Sequence, residues 1–310
     1  MELSLLLAQQ ILAQFLMLLA GFALVRLRVA REEDATALSV VTMYVVFPCV
    51  ALSAFQIDYT PAVARGLGLA FAGAGAVNAL FILLPYLLRR RFRLDAVEQA
   101  SLSYPNCGNL IVPLVAATLG ADQQIYSCAY IVIQTALLFT HGLSLIRGER
   151  RPDLKGALRN PNILAILLGA ALFALHVRFP APLAAAVNGF AGMVAPASML
   201  VIGMAIGRAD LRRIFTSRRV YAVTFLRLLA LPALAVLLLR LTGLARLLPE
   251  GRDILRVVVM AASASPATTL TQMAQCYGGD AAEASALNVM GVVFLIVTMP
   301  LLLLFYQALI

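Results

Sequence analysis

Two short polar stretches carry the residues best suited to chemistry. The first is Tyr104-Pro105-Asn106-Cys107-Gly108-Asn109-Leu110-Ile111-Val112-Pro113, and the second is Ser263-Ala264-Ser265-Pro266-Ala267-Thr268-Thr269. Both lie inside runs that are otherwise apolar. Each proline removes an amide donor and clashes with the carbonyl four residues back, and Gly108 permits backbone angles that other residues avoid. The pattern predicts two helices broken near their middles. Freed amides at a half-helix N-terminus carry partial positive charge and suit a carboxylate, while freed carbonyls suit a cation. Candidate substrate-binding residues are therefore Asn106, Gly108, Asn109 and Pro113 in the first break, and Ser265, Pro266, Thr268 and Thr269 in the second. The competing reading is a pair of proline kinks satisfied by neighbouring helices. Two breaks at corresponding places in the chain favour a site.

Four further polar residues fall within apolar runs. Arg227 is expensive in lipid and is a functional candidate on that ground. It could pair with a substrate carboxylate, pair with the freed carbonyls of a broken helix, or snorkel to the interface beside Arg218 and Arg219. Asn78, Gln134 and Asn288 either hydrogen-bond to neighbouring helices or line the pocket, with packing the simpler role. His141 and His176 each stand alone, which suits interfacial placement better than metal or proton chemistry. Cys49, Cys107, Cys128 and Cys276 form no Cys-x-x-Cys pair and read as small buried hydrophobes.

The elements that must position these residues are membrane spans. Of 310 residues, 62% are hydrophobic and 13% charged, with a mean hydropathy of +0.92. An average soluble domain has about 25% charged residues, so the apolar excess must face lipid. Soluble enzymes, nucleic-acid binders and disordered chains are excluded. The net charge of +9 is spread over short connections and forms no contiguous basic patch. Ten apolar runs are long enough to cross a bilayer: 3–25, 35–55, 63–88, 96–119, 123–145, 158–175, 182–206, 220–239, 254–276 and 281–310. Of the 24 Arg and Lys, 17 lie in or beside one alternating set of connections and six in or beside the other. The basic set is cytoplasmic, which puts both termini outside. No basic n-region precedes the first run, so no cleaved signal peptide is expected.

Ten spans divide into two halves of five, residues 1–155 and 156–310, and an odd number per half gives the halves opposite orientation. Val46-Phe47-Pro48-Cys49 in span 2 matches Val194-Ala195-Pro196-Ala197 in span 7. Gly120-Ala121-Asp122 after span 4 matches Gly278-Gly279-Asp280 after span 9. The fold class is thus an all-α integral membrane protein, a 5+5 inverted repeat with broken spans 4 and 9. Gly66, Gly68, Gly73 and Gly75 give span 3 a close-packing face.

These motifs resemble the auxin efflux carrier family, which includes bacterial malate-permease-like carriers and plant PIN-type exporters. The resemblance rests on Asn106–Leu114, on Pro266-Ala267 with Ala274 and Tyr277-Gly278-Gly279-Asp280, and on Glu283-Ala284-Ser285. Arg227-Leu228 with Pro232 and Arg159-Asn160-Pro161 add to it. It implies a fold related to the bile acid/sodium symporters, with the broken helices crossed. Spans 1, 2, 6 and 7 would form a scaffold, often a dimer interface. Spans 3–5 and 8–10 would form a mobile transport unit carrying a small organic anion across the inner membrane.

All 15 acidic residues sit at helix ends or in connections, which argues against ion coupling through a buried mid-membrane acid. A coupling proton or sodium ion is still compatible with carbonyl ligands, and no other cofactor is implied. The leading reading is a secondary transporter, with a conducting channel as the alternative. A channel needs a continuous polar pore, whereas polarity here is confined to the midplane. An intramembrane enzyme would need an aligned nucleophile and base or a metal cluster, and no Walker motif supports ATP-driven pumping.

Overall fold

The computed structural model describes residues 2–56, 60–107, 111, 115, 119–120, 123–149, 159, 161–207 and 215–310. Among these, regular structure is helical, and no strand longer than one bridged pair occurs. Five helices are long and apolar enough to cross a membrane: Asp34–Ser53, Pro61–Phe92, Ile125–Ile146, Ala181–Met204 and Arg218–Thr242. A sixth is the pair Ala281–Leu295 and Val297–Leu309, bent by 59°. Pro300 explains the bend, because its ring displaces the carbonyl of residue 296. Leu12–Arg26 and Pro161–Ala174 are shorter apolar helices.

In chain order the helices are α1 (Glu2–Arg26), α2 (Glu32–Val41), α3 (Phe47–Ala54), α4 (Pro61–Phe92), α5 (Ala96–Ser103), α6 (Gln124–Leu137), α7 (Leu143–Ile146), α8 (Pro161–Ala174), α9 (Ala181–Gly192) and α10 (Val194–Gly207). After these come α11 (Arg218–Phe225), α12 (Leu231–Thr242), α13 (Gly251–Ala262), α14 (Thr268–Tyr277) and α15 (Ala281–Leu309). Three of the joins are π turns within otherwise continuous helices: Thr42–Val46, Leu138–Gly142 and Leu226–Ala230. Such turns insert a residue, rotate the side chains that follow, and often mark functional positions.

Helix boundaries follow local chemistry. Thr60 caps α4 through Val63 N, Pro61 fills the first helical position, and Arg89, Arg90 and Arg91 complement the dipole at its far end. Asp95 and Glu98 form a reciprocal capping box at the start of α5. That helix stops at Ser103 because Tyr104, preceding a proline, is extended (φ −115°, ψ 105°). In the second half, α13 stops at Ala262 and α14 begins at Thr268 after an extended Ala267. The expected interruptions therefore fall at Tyr104 and at Ser263–Ala267.

Packing separates the helices into two groups. The large hydrophobic core draws almost all of its buried residues from α4–α7 and α11–α15, together with the segment after α5. Helices α1, α2, α3, α8 and α10 pack mainly in three small clusters of their own. Within this second group, α1 and α10 meet backbone to backbone. A Cβ on Gly203 would sit 2.0 Å from the Leu18 carbonyl oxygen, and one on Gly21 would sit 2.4 Å from that of Leu200. In lipid, close approach of this kind is what holds helices together. In α4, Gly66 makes room for Tyr126 and Gly73 for Leu255, whereas Gly68 and Gly75 face open space or a distant methyl.

Candidate functional site

The two interrupted segments cross and pair as a short antiparallel bridge at Pro105 and Pro266. The Asn106 amide donates to the Ser265 carbonyl at 2.7 Å, and the Ala267 amide donates to the Tyr104 carbonyl at 2.8 Å. Each break thereby satisfies part of the backbone of the other, which non-helical chain at this depth requires. The prolines themselves have no amide to offer, but their carbonyls need partners. Gln134 Nε2 donates to the Pro105 carbonyl and Asn288 Nδ2 donates to the Pro266 carbonyl. Both amides are buried, and each comes from the long helix that follows its own broken segment.

Arg227 completes the crossing from behind. It sits on the π turn Leu226–Ala230 and is fully buried. One terminal nitrogen donates to Leu102 O at 3.0 Å, the other to Ala262 O at 2.7 Å, and the guanidinium lies 5.0 Å from the centre of the Phe81 ring. The two carbonyls belong to the C-terminal ends of α5 and α13. Of the three roles open to Arg227 in the sequence, the geometry corresponds to pairing with freed carbonyls.

In front of the crossing lies a small cavity of about 50 Å³. Its polar wall is Asn106, Gln134, Thr135 and Thr269, and its apolar wall includes Phe47, Ile131, Leu138, Phe139 and Val194. Among the described residues no charged side chain lines it. Asn106 is 5% exposed, and its Nδ2 has no partner among the described residues. Thr269 lies in the first turn of α14, whose N-cap Ala267 has no side-chain cap. A buried amide donor and a helix N-terminus thus meet at one cavity, an arrangement suited to a carboxylate.

Other sequence candidates are placed as follows. Ser265, Pro266 and Thr268 are in the crossing or at the start of α14 but do not line the cavity. Asn78 is buried and donates to Ala74 O within its own helix at 2.8 Å. Asn288 holds Pro266 and also stays off the cavity wall. Gly108, Asn109 and Pro113 lie outside the described residues. The four cysteines are unpaired, and Cys107 is buried in the cavity wall.

Three features escaped the sequence reading. Tyr104 bonds to His141 Nδ1 at 2.7 Å and lies 3.1 Å from Leu137 O. Gly142 makes room for its ring, since a Cβ there would fall 2.9 Å from it. His141 is thus attached to the crossing, and the cue was the small residue after it. Second, Glu98 is a buried acid. It pairs with Arg219, which also reaches the carbonyls of Phe92 and Arg93. Carboxylate oxygens of Asp95, Glu98 and Glu283 lie within 4.8 Å of one another beside it. Third, the start of span 10 joins this cluster from a connection with no basic residue, a tertiary meeting that spacing does not reveal.

An all-helical chain with several apolar spans, two of its segments broken where they cross, is a multi-pass membrane protein. It belongs to the membrane transport protein family, which matches residues 6–155 and 150–303. This is the auxin efflux carrier-type family that the motifs around Asn106 and Pro266 resemble. A search of curated proteins found no match.

Proposed function

We propose that this chain is a secondary transporter that carries a small organic anion, a mono- or dicarboxylate, by alternating access. The observation that carries the proposal is the cavity at the crossing of the two broken segments. There Asn106 Nδ2 and the N-terminus of α14 support one seat for a carboxylate. Facing Phe139, Leu138 and Ile131, the seat suits a cargo with one anionic end and an apolar body.

The chain reads as ten spans in two inverted halves, 1–155 and 156–310, related to the bile acid/sodium symporter fold. Two separate family matches, dividing near residue 150, support that division. The mirrored supports Gln134 to Pro105 and Asn288 to Pro266 support it further. Spans 3–5 and 8–10 form the moving unit, consistent with their shared core, and spans 1, 2, 6 and 7 form the scaffold. The cavity lies between the two, with Phe47 and Val194 contributed by the scaffold. Motion of one unit past the other in an elevator-like stroke would carry the seat across. The scaffold is the expected homodimer contact. The expected location is a bacterial inner membrane, with the basic connections in the cytoplasm.

The test is uptake and counterflow in liposomes with a panel of mono- and dicarboxylates under imposed proton and sodium gradients. Saturable counterflow of a carboxylate is the expected result. Steady single-channel current without counterflow would establish a channel instead.

A further inference from the structure

The described cavity wall holds no cation, yet the proposed cargo is an anion, so charge selection calls for a source outside that wall. Arg227 is the candidate. It is wholly buried, and among the described residues no carboxylate pairs with it. Its Nε has no partner among the described residues. It holds the ends of α5 and α13, and Cys107, which follows α5, is part of the cavity wall.

Helix ends set the local balance. A helix C-terminus carries about −0.5 of an elementary charge and an N-terminus about +0.5. Two C-termini, those of α5 and α13, converge on Arg227 through Leu102 O and Ala262 O. One helix N-terminus, that of α14, opens on the cavity through Ala267 and Thr269. With the guanidinium present, the two negative ends are offset and the described crossing is left with roughly half a positive charge. Without it the same crossing carries roughly half a negative charge. We infer that Arg227 is a positioning residue that sets the sign of the cargo seat from behind the crossing, selecting anions without touching them. This rests on the cavity being the cargo seat.

The test reads the potential in the cavity directly. All four native cysteines are replaced by alanine, and Thr135→Cys places one thiol on the cavity wall. Membranes are treated with an anionic sulfonatoethyl and a cationic trimethylammonioethyl methanethiosulfonate reagent. The anionic-to-cationic rate ratio is divided by the same ratio for free 2-mercaptoethanol. With Arg227 present the normalised ratio should exceed one. Arg227→Met should lower it by about tenfold, and Arg227→Lys, which keeps the charge, should hold it within about twofold.

A normalised ratio at or below one with Arg227 present overturns the inference, even if the Met variant does not fold. So does an equal loss in the Lys and Met variants, or no change in the Met variant. Carboxylate counterflow with an unchanged ratio removes the charge-setting role and leaves the seat intact. Failure of the thiol to react with either reagent, together with absent counterflow, removes the seat itself.

Discussion

At the scale of single residues, the crossing is a problem of orphaned carbonyls. Gln134 and Asn288 each satisfy one that a proline break exposes. Leaving a buried carbonyl without its donor costs about 1–3 kcal/mol. Gln134→Leu and Asn288→Leu should each lower thermal stability in detergent. The double variant should depart from the sum of the two, because both amides hold the same bridged pair. Strict additivity would mean the two supports act independently. Asn106 makes a different prediction, because its side-chain donor is unspent. Asn106→Asp should weaken carboxylate counterflow more than Asn106→Ser does, since it places a like charge at the seat. An equal effect of the two would move the carboxylate elsewhere. Pro266→Ala and Asn109→Ala should abolish uptake without preventing membrane insertion, and normal flux in both would dismiss the seat.

At the scale of elements, close approach decides what can pack. Gly203→Val must open the contact between α1 and α10, where even a Cβ would overlap the Leu18 carbonyl. We expect loss of the folded, monodisperse protein in detergent. Retention of wild-type melting would show that the helices part readily. The broken segments were legible in the sequence because proline acts locally: Pro105 forces Tyr104 out of the helix, and Pro266 disfavours helix at Ser265 before it. The apolar runs were legible because lipid imposes length and hydropathy. The π turns were not, since nothing in Leu226–Ala230 distinguishes it from ordinary helix until Arg227 must reach two carbonyls at once. In the sequence Glu98 is only one of the acids at helix ends or in connections, and its pairing with Arg219 joins positions 121 residues apart. Gly203-x-x-x-Gly207 did carry a readable cue for α1 packing. The role of Gly142, by contrast, depends on where Tyr104 arrives from a different segment.

At the scale of the whole molecule, the core divides into one large cluster and three small ones, the division along which the proposed moving unit and scaffold would part. The same partition gives two kinds of contact that a cross-link can discriminate. Ser39 of α2 bonds to Gln275 of α14 at 2.8 Å, and Tyr44 bonds to Tyr277 nearby at 2.9 Å, so these contacts bridge the two groups. Ser53 of α3 bonds to Asn188 of α9 at 2.7 Å, and both belong to the proposed scaffold. If the crossing travels past the scaffold, the first contact must break in each cycle and the second must not. In a cysteine-free background, Ser39→Cys with Gln275→Cys, bridged by a short bis-thiol reagent, should stop counterflow. Ser53→Cys with Asn188→Cys, bridged in the same way, should leave most of it. Cleaving a reducible linker should restore flux in the first pair. Full counterflow through a bridged Ser39–Gln275 pair would mean that cargo crosses without relative motion of the two groups, because interfaces packed this closely cannot slide while tied.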